Sequence, residues 1–414
     1  MKSFSVDRPM MFKKQIIHPW LKYVGFGAAL QTLAKENDPR SIRVDAAAPQ
    51  VPWWDGKRPV ENMLVFGGGG MGDRIQSTPA LRKLANKIGR PVDVAISDCE
   101  EWEGLPYIGI RHPWLLPASI IDNYDAVCSF EDVLGREDEA TVHLAELFAR
   151  RLFVSPLIPG VTMPDSGEFD CDWAWKWREA DNLIWTPEKE PSNLWIGLQV
   201  ASQGYSRTWP IENVIALAEK LARCQKHKII VMLLGTHQQS PKWGSPLDLG
   251  GLPSPPQDRV VNLCGRLTGT RQLATLVNRL DLLIAPDSGP LHIAGVLGIP
   301  SIGLYGPHIH ETRGMWFPNQ KPMVGVDNLD DRCPCYCHSD QQTASLPCGQ
   351  DYCKLMASIG TNDVYEVTMG ILDGAKASRE AEDVTCPRCR KVLKSKLGRD
   401  RHIRNQHPEL AATE

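Results

Sequence analysis

Three stretches of this chain carry side chains of types and spacings that suit phosphate and proton chemistry. In the first, the apolar run DLLIAP ends on Asp287, followed by Ser288, Gly289, Pro290, Leu291 and His292. A strand there delivers Asp287 to its carboxyl end, and Ser288–Pro290 turn the chain into a helix. Proline is tolerated in that first turn because its missing N–H would have had no helical partner. The helix start offers backbone N–H groups and a positive dipole end to an anion, and a diphosphate is the natural guest. His292, in the first turn, reaches the same guest. The residues alone also suit a plain strand-to-helix turn.

The second stretch is FGGGGMGDRIQSTPAL, residues 66–81. Gly67 to Gly70, with Gly69 and Gly70 nearest the helix, allow backbone to approach a substrate closely. Gly72 and Asp73 open a helix. A carboxylate at that point can take a proton from an incoming hydroxyl, or serve as a helix cap. No Lys-Ser/Thr pair follows the glycines, so this is not a P-loop. The third stretch is SQGYSRTWP, residues 202–210, in which Arg207 can pair its guanidinium fork with phosphate oxygens.

A fourth pattern suits metal. Cys386 and Cys389 are followed by twelve residues, His402, four residues and His407. That is the spacing of a tetrahedral C2H2 zinc finger, with Zn2+ as a structural ion. Its hydrophobic support is thin, with Leu393 and Arg399 where an aromatic and a leucine are usual. Between Cys386 and His407 lie eight Arg and Lys against the single acid Asp400. The basic stretch suits phosphate-backbone contact with nucleic acid. It reads bases poorly, since positions −1, 3 and 6 of such a helix would be Ser395, Gly398 and Arg401. A second cluster, Cys333, Cys335, Cys337, His338, Cys348 and Cys353, matches no standard zinc template, and a structural role after the last strand is the expectation.

The elements that position these residues read as alternating strands and helices. MLVF, the helix after the glycines, and VDVAIS form a β–α–β unit, so a parallel sheet is expected. YDAVCSF reads as a strand and TVHLAELFARRLFV as a helix. From Leu194 the pattern restarts with LWIGLQV, VIALAEKLARCQ, KIIVMLLG, TRQLATLVNRL, DLLIAP, PLHIAGVLG and PSIGLYG. Between the two series lie Pro164, Asp165, Gly167, Pro187, Pro191 and the alternating Trp173, Trp175 and Trp177, read as an interdomain passage with the tryptophans packing between domains. The expected fold class is α/β, with two Rossmann-like domains facing a cleft plus a small ββα finger. The expected boundaries are residues 1–57 (extension and linker, with a helix in 18–36), 58–190 (first Rossmann-like domain), 191–376 (second Rossmann-like domain, including the Cys-rich 333–353) and 377–414 (linker and finger).

Composition sets outer limits. At 414 residues the chain can hold two cores. A net charge of −3 and 42% hydrophobic residues exclude a globally basic nucleic-acid binder, so such a role must be local. No run reaches the roughly 18 apolar residues of a membrane span, and no signal peptide is read at the N-terminus. The expected compartment is cytoplasmic, where clustered cysteines favour metal over disulfides.

Taken together, Gly72–Leu81, Arg-Thr-Trp-Pro at 207–210 and Asp-Ser-Gly-Pro-Leu-His at 287–292, with the Gly-Ile-Pro and Leu-Tyr-Gly-Pro that follow, resemble glycosyltransferase family 9, the bacterial heptosyltransferases. The resemblance covers about residues 60–375. It implies a two-domain GT-B fold and inverting transfer from a nucleotide-diphosphate sugar without a catalytic metal. Carried over, Asp73 would be the base for the acceptor hydroxyl and Arg207 would hold the donor phosphates. Asp287 would contact the donor sugar, and Ser288, Gly289 and His292 its diphosphate region. The four-glycine run departs from the serine-bearing turn common in the family and bears on the acceptor. The fused basic finger suggests a nucleic-acid acceptor, for example a hydroxylated base in bacteriophage DNA. The alternatives are a lipopolysaccharide-core acceptor and a DNA-binding protein with a decayed transferase domain.

Overall fold

The computed structural model describes residues 2–12, 15–18, 20–25, 27–45, 52–55, 58–96, 99–130, 133, 142–153, 189–190, 192–200, 202, 205–235, 259–267, 269–307, 310–314, 319–325 and 353–383. The chain divides into two compact units, Met1–Ile359 and Gly360–Glu414.

The first unit opens with strands β1 (Lys2–Val6), β2 (Met10–Phe12), β3 (Gln15–Ile17) and β4 (Tyr23–Gly25), helix α1 (Gly27–Glu36) and strand β5 (Ile42–Val44). The expected helix over 18–36 is therefore confined to Gly27–Glu36. Period-two burial explains the strands. Phe4 and Val6 are buried on either side of the half-buried Ser5, and Met10 and Phe12 flank the exposed Met11. These strands share a small core of Phe4, Val6, Met10, Phe12, Ile17, Tyr23, Leu30, Leu33 and Leu115.

The glycine-run half follows as β6 (Met63–Phe66), α2 (Met71–Ile88), β7 (Val92–Ala95), β8 (Ile108–His112), β9 (Leu116–Pro117), α3 (Ala118–Ile121), β10 (Ala126–Ser129) and α4 (Leu144–Phe153). Its sheet runs β10-β6-β7-β8, all parallel. All four residues of β6 are buried, as expected of a strand covered on both faces. Met63 and Val65 join the large core with α2 and α4. Leu64 and Phe66 pack instead with Val24 of β4 and Leu116 of β9. The N-terminal strands thus cover this sheet's second face, and β4 pairs directly with β9. What reads as an extension is packed structure.

The remaining half comprises β11 (Asn193–Gln199), α5 (Ile211–Ala222), β12 (Lys228–Leu234), β13 (Val260–Asn262), α6 (Thr270–Val277), β14 (Leu282–Pro286), α7 (Gly289–Leu297), β15 (Ser301–Tyr305), α8 (His310–Arg313), β16 (Gln320–Val324) and α9 (Lys354–Ser358). The sheet is parallel, in the order β13-β12-β11-β14-β15-β16. Helix α5 buries Val214, Leu217, Ala218, Leu221 and Ala222, one stripe at helical spacing. Helix α7 buries every residue from Pro290 to Leu297, because neighbours surround it. Burying each large aliphatic side chain contributes about 1.5–3 kcal/mol.

The second unit contains helix α10 (Thr361–Asp383), which runs unbroken past residue 376, where the sequence predicts a domain boundary. Among the described residues no helix is long and apolar enough to cross a membrane.

Candidate active site between the two sheets

Strand order fixes where the site lies. In each half the first strand in sequence has its second strand on one side and its fourth on the other. Such a switch point opens a crevice beyond the carboxyl ends of the strands, where ligands bind. In one half the switch lies between β6 and β10, and β6 leads into Gly67–Gly70. In the other it lies between β11 and β14. Arg207 follows β11, and Asp287 follows β14. Three segments far apart in sequence are thus placed by topology at two switch points.

The glycine run has a defined shape. Gly69 has φ of +79°, and a Cβ there would lie 2.6 Å from the Asp73 carboxylate. Gly70 is the N-cap of α2, and its N–H donates to Asp73 Oδ2 at 2.6 Å. That is one half of a capping box, the half a glycine cap can make. Asp73 is half-buried. Farther along α2, Pro79 lacks the N–H that would reach Ile75 O. Thr78 Oγ1 donates to that carbonyl instead, at 2.7 Å.

The first turns of α2 and α7 touch. A Cβ on Gly72 would lie 2.5 Å from His292 Cδ2, and one on Gly289 would lie 2.5 Å from Met71 Sδ. His292 is 3% exposed. Its Nε2 lies 3.4 Å from Gln76 Nε2 and 3.7 Å from Asp287 Oδ1. Its Nδ1 is buried without a hydrogen-bond partner among the described residues, as is Gln76 Oε1. Gln76 Nε2 also donates to Arg313 O at 3.3 Å.

On the α7 side, Ser288 is the N-cap but its side chain does not cap the helix. Its hydroxyl donates to Pro286 O at 2.9 Å, leaving the dipole end without a side-chain partner at that position. Pro290 stands in the first turn, as its fixed φ favours. Arg207 donates to Asp287 O at 3.1 Å and its guanidinium lies 3.7 Å from Asp287 Oδ2. It reaches the site from a short 3₁₀ turn, Tyr205–Arg207. Trp209, fully buried, anchors this loop through Nε1 donation to Ile359 O at 3.0 Å. Tyr305 is buried near Asp287; burial, with the neighbouring Asp287 charge second, pushes its phenol well above the ordinary range.

Every site residue expected from sequence in these three segments therefore gathers around the α2 and α7 N-terminal turns. Further residues link the two halves. Gln76 shares a helix face with Gly72 and Asp73 at spacings of four and three, a signal that periodicity could have supplied. His143, beside α4, gave no such signal. It donates Nε2–H to Gly314 O at 2.6 Å and accepts from Ala145 N at 3.1 Å, which fixes a neutral tautomer. Burial, with the nearby His292 and Arg313 charges, lowers its pKa to about 4. Glu100 and Glu101 form a second link between the halves. Glu100 Oε2 accepts from Arg271 N at 2.8 Å, in the first turn of α6. Glu101, buried, pairs with Arg74 at 3.1 Å and accepts from Thr270 Oγ1 at 3.0 Å.

The proposed finger ligands Cys386, Cys389, His402 and His407 lie outside the described residues, as do Cys333, Cys335, Cys337, His338 and Cys348, and Trp173, Trp175 and Trp177. Cys353 is described, and is the buried N-cap of α9. Among the described residues no group of three or more His, Cys, Asp or Glu could hold a metal ion.

Comparison with known proteins agrees with the α/β fold. Residues 164–334 match the model of glycosyltransferase family 9 (heptosyltransferase). A stretch of 47 residues is 49% identical to the lipopolysaccharide core heptosyltransferase OpsX of Haemophilus influenzae, covering 11% of this chain and 13% of that relative. The aligned part is therefore a small fraction of that relative's length. The fold is similar to E. coli ADP-heptose lps heptosyltransferase II, with a TM-score of 0.52 and 17% identity over 76% of this chain and 99% of that one. It is similar also to a family 9 glycosyltransferase of Veillonella parvula, with a TM-score of 0.51 and 17% identity over 76% and 98%. Residues 164–334 thus match the glycosyltransferase family 9 model, and the α/β halves share the fold of solved heptosyltransferases.

Proposed function

We infer that the crevice between the two halves transfers a sugar from a nucleotide-diphosphate donor, ADP-heptose-like, to a hydroxyl acceptor. The observation that carries this reading is the contact of the α2 and α7 first turns at two topological switch points, Gly72 against His292 and Met71 against Gly289; Asp73 belongs to the first of these turns, and Ser288, Gly289, Pro290 and His292, with Asp287 just before them, to the second. Asp73 takes the acceptor proton as the hydroxyl oxygen bonds to the anomeric carbon. The bond from that carbon to the donor diphosphate breaks on the opposite face, and its electron pair leaves with the nucleotide. The start of α7 and Arg207 face the leaving diphosphate, where an electropositive helix end stabilises developing negative charge. The Asp287 carboxylate orients the sugar, and Gly69, Gly70 and Gly72 let the acceptor approach backbone.

Two acceptors have support. The similarity to a lipopolysaccharide core heptosyltransferase favours a core sugar hydroxyl. The finger spacing at Cys386, Cys389, His402 and His407, with its basic residues, favours a structural Zn2+ and a hydroxylated DNA base held nearby by tethering. One assay separates them. Purified full-length protein is offered ADP-, UDP- and GDP-sugars with truncated lipopolysaccharide or hydroxymethylated DNA, and products are weighed by mass spectrometry. A product only with lipopolysaccharide removes the DNA reading. A product only with DNA, lost on removal of residues 384–414, supports it. No product with any pair contradicts the transferase reading.

A further inference from the structure

The hairpin of β2 and β3 has an outer face that the function above does not use. Met10, Phe12 and Ile17 point into the small N-terminal core, at 4%, 1% and 0% exposure. Their neighbours Met11 and Ile16 point outward at 51% and 52%, and stand directly opposite each other across the hairpin. Trp20, 72% exposed, follows within four residues and stacks on His18 with ring centroids 4.6 Å apart. The hairpin is held firmly. Gln15 Nε2 donates to Leu115 O at 2.7 Å, Asn37 Nδ2 to Met11 O at 2.8 Å, and His18 N to Tyr23 Oη at 3.0 Å. Those bonds tie it to the body of the unit, so the apolar residues are displayed on a braced element.

Charge identifies what such a face fits. Residues 1–45 carry eight Lys and Arg against four Asp and Glu, in a chain whose net charge is −3. The two residues that join β2 to β3 in sequence are Lys13 and Lys14. Exposed Met, Ile and Trp in a segment of net positive sequence charge suit a surface that is apolar beneath an anionic layer. Tryptophan settles at the headgroup level, aliphatic side chains enter the acyl boundary, and lysines meet the negative headgroups. A nucleic acid would use the lysines but gain little from Met11 and Ile16. We propose that the β2–β3 hairpin with Trp20 is an interfacial foot that docks this protein on an anionic lipid surface. The proposal holds whichever acceptor the crevice uses.

The test is co-sedimentation of the full-length protein with vesicles of phosphatidylcholine alone or with phosphatidylglycerol added. Wild type is expected to bind the anionic vesicles, and to release as salt is raised. A Met11→Ser/Ile16→Ser/Trp20→Ser variant, with unfolding midpoint checked against wild type, is expected to partition at least about tenfold more weakly, as loss of three interfacial apolar groups predicts. Lys13→Glu/Lys14→Glu is expected to weaken binding to the anionic vesicles most at low salt. Absence of vesicle binding by wild type overturns the proposal, as does a triple-serine variant that binds equally well. Sedimentation velocity gives a third overturning result, in which the patch joins two copies of the chain and vesicles are ignored. Binding to duplex DNA that depends on the same three residues would likewise assign the face to another partner.

Discussion

At the scale of single residues, the site depends on Gly72 having no side chain, whereas Gly70 has room for one. Gly72 is flush against the His292 imidazole, and a methyl group there would lie 2.5 Å from Cδ2 and 2.9 Å from Nε2. The imidazole is enclosed beside Gln76 and Asp287 and has little room to yield. Gly72→Ala is therefore expected to cost about 1–3 kcal/mol by overpacking. It should also raise the donor KM by moving α7. Gly70→Ala is the control. Its Cβ would meet only Asp73 Oδ2, at 3.6 Å, and its N–H still reaches Asp73. Urea denaturation and donor titration of both variants check this, and equal effects would contradict the assigned contact. The importance of Gly72 is only half legible in sequence. A glycine run announces close approach, but not what approaches, because His292 lies 220 positions away.

At the scale of elements, the alternation of apolar strands with amphipathic helices was readable from Met63 onward. β12 is a continuous apolar run because both faces of its sheet are covered, and α5 has a single buried stripe. The N-terminal strands were less readable. Their period-two signal is short, and their core is completed by Leu115, from a distant loop. The links between the halves were not readable, because each rests on a carbonyl or a helix end whose position only the fold supplies. His143 to Gly314 O is the clearest case. Its pKa, lowered to about 4 by burial and by nearby positive charge, gives a signed expectation. The unfolded chain protonates this histidine near 6.5 and the folded one does not until about 4. The neutral bridge thus contributes fully above pH 6.5, and its contribution is lost as pH falls towards 4. The difference corresponds to about 3 kcal/mol at most. Urea melts at pH 7 and pH 4.5 should show wild type losing more stability than His143→Gln, which keeps a donor for Gly314 O. Parallel losses would remove His143 from the acid response.

At the scale of the whole molecule, two sheets with the same order of their first four strands bring their switch points to one crevice. The α/β class and the two halves follow from the sequence, since a β–α–β alternation permits little else. The parts that did not follow are the packed N-terminal strands and the helix α10 running through the expected boundary at 376. The finger ligands stand outside the described residues, so their role rests on spacing alone. The central claim is that the crevice is a transfer site in which Asp73 takes the acceptor proton while the α7 side holds the donor. The most direct measurement is single-turnover sugar transfer by Asp73→Asn at saturating donor and acceptor, with donor affinity measured in parallel. Asparagine keeps an acceptor for the Gly70 N–H but cannot take a proton. The account predicts a rate lower by about 10²–10⁴-fold, the usual loss of a general base, with donor affinity close to wild type. Transfer at the wild-type rate would contradict it.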